Sequence, residues 1–185
     1  DIEEGAYLST DYLIRRGHKR IGMLKPFKNT QPGNARRRGY ARACEAHGIE
    51  FDEDLVRPIT LESADVINAV FRLVSDPTVT ALIDSSGGED SASIREGVRR
   101  AGRILGKNIE VLPWTYSHKA TVLNEACAHL WLPLREAMAE GFERLEKWFR
   151  NEAEGPVQVL YRTILRETPG EEEFREKQTV FQLIT

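Results

Sequence analysis

Short apolar segments alternate with amphipathic segments along this chain, and the alternation constrains the fold more than any other feature of the sequence. The apolar runs at residues 20–24 and 79–83 have the length of buried strands, whereas the segments between such runs repeat apolar residues at helical spacing. A helix between two strands supplies the long crossover that a parallel pair needs, so strands separated by helices are expected to pair in parallel. The sequence therefore predicts an α/β fold, an open parallel sheet flanked by helices.

Helix ends and strand candidates can be placed along the chain. Asp1, with Glu4 three residues later, resembles a capping box for a helix that runs to Arg16 and stops at Gly17. Further helices are predicted from residue 34 to Gly48, at 63–74, after the turn at 84–88, and after Pro133. The remaining strand candidates are 55–60, which Pro58 marks as an edge, 109–112, 157–165 and a terminal segment at 179–184.

Composition excludes several classes of protein. The 185 residues carry a formal net charge of −3, so no general positive field attracts nucleic acid to this segment. The two cysteines, Cys44 and Cys127, fit neither a disulfide framework nor a metal-ligand spacing, which favours a reducing cytoplasm. No apolar run approaches the roughly 18 residues of a membrane span, and no signal peptide is recognisable.

Ligands of open parallel sheets bind beyond the carboxyl ends of the strands. This rule selects the loops at residues 25–34, 84–89 and 113–118, which are rich in polar but uncharged side chains. Such a lining suits a hydroxylated or amide-bearing small molecule, with Trp114 or Phe27 as a stacking surface. The candidate ligand-binding residues are Asn29, Thr30, Gln31, Arg36, Thr60, Ser85, Ser86, Gly87, Trp114, Thr115 and Tyr116.

Enzymatic alternatives have little support in the sequence. Gly87-Gly88 before a helix permits a phosphate-binding turn, yet neither a GxGxxG pattern nor a P-loop lysine accompanies it, and a plain tight turn is favoured. Asp84, Glu89 and Asp90 are interpreted as helix-capping acids, because no histidine is nearby to complete a catalytic or metal cluster. No GxSxG nucleophile elbow is present. We expect no enzyme activity, cofactor or metal.

The first 22 residues, DIEEGAYLSTDYLIRRGHKRIG, resemble the signature of the LacI/GalR family of transcriptional regulators. The matching positions are Asp1, Gly5, Ala6, Leu13, Gly17, His18, Arg20 and Ile21. Arg36 with Gly39-Tyr40 is similar to the Arg-x-x-Gly-aromatic element of that family, and residues 48–56, 100–111 and 157–168 resemble its later segments.

The resemblance implies a periplasmic-binding-protein-like fold of type I, mainly its C-terminal subdomain. The effector-binding domain would span residues 1–168, with 1–131 and 157–168 in the C-terminal subdomain and 169–185 as a tail. Residues 132–151 would form a helix that packs on an N-terminal subdomain outside this sequence. The family's arginine that contacts ligand oxygens corresponds to Arg36, although the basic run Arg36-Arg37-Arg38 also permits a solvated helix charge.

The sequence departs from the family pattern in two segments, one after the third predicted strand and one after the fourth. Gly87-Gly88 replaces the Asn-Asp pair of many sugar-responsive members, and Thr115 replaces an aspartate that follows the aromatic residue of the fourth strand. A threonine accepts sugar hydroxyl protons more weakly than a carboxylate does. Either the ligand is unusual, or Ser85, Glu89 and Asp90 substitute, or ligand control is lost.

The resemblance implies a cytoplasmic, homodimeric regulator, with residues 91–98 in the dimer contact. A small polar, sugar-like effector would control operator DNA binding by an N-terminal headpiece outside this chain, without contact with a membrane. A periplasmic solute-binding protein of a transporter and, less favoured, an α/β enzyme with a phosphate-binding turn remain alternatives.

Overall fold

One sheet runs through the computed structural model, which describes residues 1–26, 28–60, 62–87, 91–116, 126–152 and 161–167. Its strands are β1 (Ile21–Pro26), β2 (Val56–Ile59), β3 (Ala81–Asp84), β4 (Glu110–Thr115), β5 (Ala128–Trp131) and β6 (Ile164–Glu167). The helices within the described residues are α1 (Ile2–Arg15), α2 (Gln31–Ala46), α3 (Ser63–Val74), α4 (Ser91–Arg100) and α5 (Leu134–Phe149), and a 3-10 turn covers Glu53–Leu55.

The strands are arranged in the order β2-β1-β3-β4-β5-β6, and every pair from β2 to β5 is parallel, whereas β6 is antiparallel to β5. The chain passes from β1 outward to β2 and then returns to the other side of β1 to form β3. The strand order therefore reverses between β1 and β3, which is where open α/β sheets form their ligand crevice. The predicted α/β class and parallel sheet are confirmed.

Side chains of the central strands alternate between two separate cores. Ile21, Met23 and Ile83 point to the core that α1 and α2 cover, whereas Leu24 and Leu82 point to the core that α3 and α4 cover. This alternation follows from the two-residue period of a strand, and both faces are apolar because helices cover both. The two cores will be called the α1/α2 core and the α3/α4 core.

Close helix packing explains two of the buried glycines. A Cβ atom on Gly39 of α2 would overlap the carbonyl oxygen of Glu3, and one on Gly97 of α4 would lie 2.7 Å from Val70 Cβ. The absence of a side chain therefore lets α2 approach α1, and α4 approach α3, at backbone distance.

The cap predicted for α1 is present, since the Asp1 carboxylate accepts a hydrogen bond from Glu4 N.

Several predicted ends were wrong. β1 continues through Lys25 and Pro26, where the sequence predicts a loop, and α2 begins at Gln31 rather than at residue 34. β4 continues through Pro113 to Thr115, although the prediction ended this strand at residue 112. Every second residue of a strand directs its backbone N–H and C=O groups to the same side. The carbonyls of Val111 and Thr115 accept hydrogen bonds from the β5 side of β4. Pro113 has the same orientation, so the N–H that it lacks is missing on the β5 side, and the hydrogen bonds between β4 and β3 are not affected.

Strand β5 was not predicted, because its four residues follow a stretch without a recognisable pattern. β6 covers only the end of the predicted strand at 157–165, of which 157–160 lie outside the described residues. The helix predicted after Pro133 is confirmed as α5, and none of its residues is buried. The predicted terminal strand at 179–184 lies outside the described residues.

Candidate functional site

The carboxyl ends of β1, β3 and β4 lie side by side at one edge of the sheet. Leu24 is in register with Asp84, and Asp84 is in register with Pro113. The three loops selected from the sequence therefore leave the sheet at the same edge, next to the reversal between β1 and β3. This edge is the candidate site, and each element contributes to it a side chain that the sequence had suggested.

Arg36 is the central side chain of this edge. It lies on the inner face of α2 and is only 2% exposed. Its Nε donates to Ser85 Oγ at 3.0 Å, Nη2 donates to the Ser85 carbonyl at 3.2 Å, and Nη1 donates to the Pro32 carbonyl at 3.0 Å. The guanidinium thus joins the first turn of α2 to the end of β3.

Trp114 provides the platform beneath this guanidinium. Arg36 Cζ lies 4.9 Å from the centroid of the Trp114 ring, a distance at which a cation–π attraction operates. The ring itself is 1% exposed, and its Nε1 donates to Ser9 Oγ of α1 at 3.0 Å. Arg36, Ser85 and Trp114 form one packed unit, which we call the Arg36 cluster.

The turn after β3 contributes Ser85 to the Arg36 cluster and places Ser86 next to it. Ser85 Oγ donates to the Leu24 carbonyl of β1 at 2.6 Å, in addition to accepting from Arg36. Ser86 is half-buried, and its backbone N–H donates to the carboxylate of the fully buried Asp84 at 3.0 Å. Ser85 therefore links β1, β3 and α2, whereas Ser86 is held within its own turn.

Gly87 and Tyr116 approach each other across the edge. Gly87 has a φ of 111°, and a Cβ atom there would lie 2.7 Å from Tyr116 Cε2. Only a glycine meets both conditions without strain. Tyr116 is 38% exposed and Thr115 is partly buried at the end of β4, so these residues bring a phenol and a hydroxyl to the edge.

The turn between β1 and α2 brings three further candidates to the same edge. Asn29 adopts a positive φ of 60°, and Thr30 caps α2 by accepting a hydrogen bond from Gly33 N at 3.3 Å. Gln31 opens the helix, and all three side chains are exposed. They surround the solvent side of the turn, while Arg36 lies one helical turn further into the protein.

Thr60 differs from the other candidates in its contacts. It follows the edge strand β2, and both its N and its Oγ1 donate to Asp65 Oδ2, at 2.6 and 3.0 Å. Among the described residues, no hydrogen bond or ion pair connects Thr60 with the Arg36 cluster, and its hydroxyl binds Asp65 at the start of α3. The candidates Phe27, Gly88, Glu89 and Asp90 lie outside the described residues.

The electrostatics of the cluster follow from burial. Removal from water lowers the pKa of Arg36 below its usual value, and Tyr116 partly opposes the shift. An arginine still keeps its proton throughout the pH range in which proteins fold. Within the cluster, the Arg36 guanidinium donates to two carbonyl oxygens and one hydroxyl oxygen.

Ser9 is a contributor that sequence reasoning missed. Its hydroxyl is fully buried, donates to the Gly5 carbonyl at 2.9 Å and accepts the indole N–H of Trp114. A signal for it exists, because a buried tryptophan needs an acceptor and Ser9 lies one helical turn from Gly5 on the buried face of α1. The sequence alone does not show that Ser9 and Trp114 meet, because 105 residues separate them along the chain.

In the ranges that the structure describes, no group of three or more His, Cys, Asp and Glu side chains is arranged to hold a metal ion. None of the helices in those ranges combines the length and the hydropathy needed to cross a lipid bilayer. Among the described residues, the edge combines hydroxyls, amides and aromatic rings with the buried Arg36 guanidinium and the buried Asp84 carboxylate.

Comparison with known protein families gives a match over most of the chain. The model described as "Periplasmic binding protein-like domain" matches residues 10–168. Two curated relatives are HTH-type transcriptional repressors named PurR. The protein from Pasteurella multocida (strain Pm70) is 28% identical over 80 residues, which are 43% of this chain and 24% of the relative. The protein from Vibrio atlanticus (strain LGP32) is 23% identical over 143 residues, 77% of this chain and 43% of the relative.

Solved structures share the fold over nearly the whole chain. The transcriptional regulator CelR in complex with cellobiose superposes with a TM-score of 0.80 at 24% identity, over 91% of this chain and 52% of that protein. The repressor ascG of Escherichia coli gives 0.76 at 20% identity, over 90% and 61%. CcpA of Lactococcus lactis gives 0.74 at 21% identity, over 91% and 63%. The matched part of the chain thus spans 24% to 63% of the length of these proteins.

Proposed function

The chain belongs to the family of periplasmic binding protein-like domains, and from this membership we propose that it is the effector-binding part of a LacI/GalR-type transcriptional regulator. It binds a small, polar, uncharged metabolite at the carboxyl edge of the sheet. Ligand binding there controls DNA binding by a headpiece outside this chain. The observation that carries the proposal is the Arg36 cluster, which fastens α2, β3 and β4 together where their loops meet.

The cluster suits a sensor because it couples separate elements. Ser85 contacts β1 through Leu24 and α2 through Arg36, and Trp114 contacts α1 through Ser9. A ligand that displaces any one of these loops therefore changes the contacts of the others. Packed elements of this kind shift between discrete arrangements, which is how a small ligand biases two states of a protein.

Exposure divides the candidate residues into two roles. Arg36, Ser85 and Trp114 are buried, so we assign them to hold the wall of the pocket in place. The exposed or half-buried polar groups around them make the direct ligand contacts; they are Asn29, Gln31, Ser86, Thr115 and Tyr116. Their donors and acceptors are neutral, which matches hydroxyl and carbonyl groups on the ligand.

Sugars are the first ligands to test. The relative CelR is named as a complex with cellobiose, and the curated relatives are named as transcriptional repressors. These names favour a regulator over the solute-binding protein of a transporter and over an enzyme. We further propose that the protein acts in the cytoplasm as a homodimer on operator DNA.

Helix α5 supports a division of the molecule into two subdomains. Its apolar side chains repeat along one side of the helix and are between 46% and 75% exposed; they are Leu134, Met138, Phe142, Leu145, Trp148 and Phe149. An exposed apolar stripe of this size marks a surface that another structure covers. We propose that residues 132–151 pack on an N-terminal subdomain, whereas 1–131 and 157–168 form the C-terminal subdomain and 169–185 a tail.

Thermal unfolding with and without ligands tests the sensor proposal. Cellobiose and a panel of uncharged sugars and polyols should raise the melting temperature, since a ligand at a hundredfold excess over its Kd stabilises by about 2.7 kcal/mol. Arg36→Ala should weaken this response by loosening the pocket wall. The matched control is Arg37→Ala, because Arg37 is the next residue of α2 but forms an exposed ion pair with Glu53.

Two results would contradict the proposal. Stabilisation by nucleotides alone would favour the phosphate-binding enzyme. Equal sugar affinity in Arg36→Ala and in the Arg37→Ala control would show that the Arg36 cluster does not shape a ligand site.

A further inference from the structure

A separate cavity of about 240 Å³ opens at the β2 edge of the sheet. Residues of β2 and α3 line it, and they are Arg57, Pro58, Asp65, Asn68, Ala69 and Arg72. None of these residues belongs to the Arg36 cluster or to the β1, β3 and β4 loops. The cavity is therefore not part of the site proposed above.

The local structure explains why a cavity forms here. Arg57 alternates with Val56, whose side chain packs in the α1/α2 core, so Arg57 points to the face of the sheet that α3 covers. Asp65, Asn68 and Arg72 lie at positions i, i+3 and i+7 of α3 and so share one side of that helix. Because β2 is the edge strand of the described sheet, no further strand of the described residues fills the space beside it.

The cavity carries hydrogen-bond donors with few partners. Arg57 Nε is buried and, among the described residues, has no hydrogen-bond partner. The nearest acid to its guanidinium is Asp54, 3.9 Å from Nη2 and itself 87% exposed. Within the same described ranges, no side-chain hydrogen bond or ion pair engages Asn68 or Arg72. Two guanidinium groups and an amide thus face one small space.

The acid that lines the cavity does not neutralise this donor set. Asp65 Oδ2 accepts hydrogen bonds from Thr60 N and Thr60 Oγ1, which satisfies that oxygen from the side of the β2–α3 turn. Two cations against one carboxylate leave a net positive lining. Guanidinium groups pair best with carboxylates and phosphates, because their planar N–H forks match two oxygens at once.

We propose that this edge cavity binds a small oxyanion, either a carboxylate or a phosphate group, through Arg57 and Arg72 with Asn68 as an additional donor. The volume suits an inorganic phosphate or a short carboxylic acid. This second ligand site is separate from the effector site at the strand ends, and it lies where β2 meets α3.

Isothermal titration of the chain with sodium phosphate and with sodium succinate tests the proposal, and erythritol serves as a neutral compound of similar size. At low ionic strength we expect saturable binding of at least one of the two anions and none of erythritol. The anion that binds more tightly distinguishes a phosphate site from a carboxylate site. Added salt should weaken the binding, because the cavity is open to solvent.

Arg57→Gln and Arg72→Gln should each raise the Kd for the anion about tenfold or more, as expected for the loss of one charged hydrogen-bonding partner. Arg72 is exposed, and its side chain makes no hydrogen bond or ion pair with the part of the chain that the structure describes, so this variant remains informative if Arg57→Gln unfolds. The matched control is Arg99→Gln, which removes an exposed arginine of α4 that pairs with Glu96.

Three results would overturn the proposal. The first is the absence of saturable binding by either anion. The second is an equal loss of affinity in Arg72→Gln and in the Arg99→Gln control. The third is loss of anion binding in Arg36→Ala together with full affinity in Arg72→Gln, which would move the anion to the strand-end site and leave the effector proposal standing.

Discussion

Replacing Ser85 with alanine removes the single hydroxyl on which three elements of the candidate site depend. In the native protein Ser85 Oγ accepts from Arg36 Nε at 3.0 Å and donates to the Leu24 carbonyl at 2.6 Å, and the side chain is fully buried. The alanine variant leaves a buried, charged N–H and a buried carbonyl without these partners. Hydrogen bonds to charged groups contribute about 1.5–3 kcal/mol and neutral ones about 1 kcal/mol.

We therefore expect Ser85→Ala to lower the free energy of unfolding by about 2–3 kcal/mol, after allowing for the hydroxyl that no longer has to be desolvated. In a chain of this length the loss corresponds to a drop of about 5–10 °C in the melting temperature. Urea unfolding followed by circular dichroism measures it, and an unchanged m value would show that the unfolded state is unaffected.

The neighbouring residue supplies the control. Ser86 is half-buried, and both its hydroxyl and its backbone N–H donate to the Asp84 carboxylate of the same turn. Ser86→Ala should cost no more than about 1.5 kcal/mol, the lower end for a bond to a charged group, because the backbone N–H still pairs with this carboxylate and the site is partly open to water. A loss of less than about 0.5 kcal/mol in Ser85→Ala, or equal losses in the two variants, would refute the reasoning that Ser85 links these elements.

Two further predictions concern the scaffold. Gly39→Ala should lower the free energy of unfolding by about 3 kcal/mol, because the added methyl overlaps the Glu3 carbonyl oxygen. Gly141→Ala on α5, where a Cβ meets nothing within 4 Å, should raise it slightly, and urea unfolding measures both variants. The hydrogen bond from Arg16 lowers the pKa of Glu110 to about 2 from the usual 4.5, so this carboxylate stabilises the fold above pH 4.5 and loses its effect as the pH falls through about 2. Glu110→Gln should therefore reduce stability at neutral pH and flatten the stability profile between these two pH values, and a profile identical to that of the wild type would contradict the assignment.

Periodicity predicted most of the fold because it reports directly on burial. The helical stripe from Ser63 to Val74 marks the buried face of α3, and the continuous apolar run before Asp84 marks a strand that is buried on both faces. Both elements are present at nearly the predicted positions. Prediction failed where a local rule competed with the sheet. Pro113 normally ends a strand, yet β4 accommodates it because its missing N–H lies away from the β3 ladder.

The candidate site was predictable as a location but not as a set of roles. The rule for strand ends brought Ser85, Tyr116 and the Arg36 helix to one edge, and the structure places them there. The sequence does not reveal that Arg36 and Trp114 are almost completely buried, because burial depends on packing between elements distant in the chain. The cavity between Arg57 and Arg72 was missed for the same reason, since each arginine in isolation resembles an ordinary surface charge.

The alternation of strand side chains between two cores has a consequence for how this domain changes over evolutionary time. Met23 and Ile83 belong to one core and Leu24 and Leu82 to the other, so consecutive residues of a strand pack against different helix pairs. A volume change at Ile83 therefore acts first on the packing of α1 and α2, and one at Leu82 on the packing of α3 and α4. Substitutions can therefore accumulate in the α1/α2 core beside the Arg36 cluster while the α3/α4 core keeps its packing.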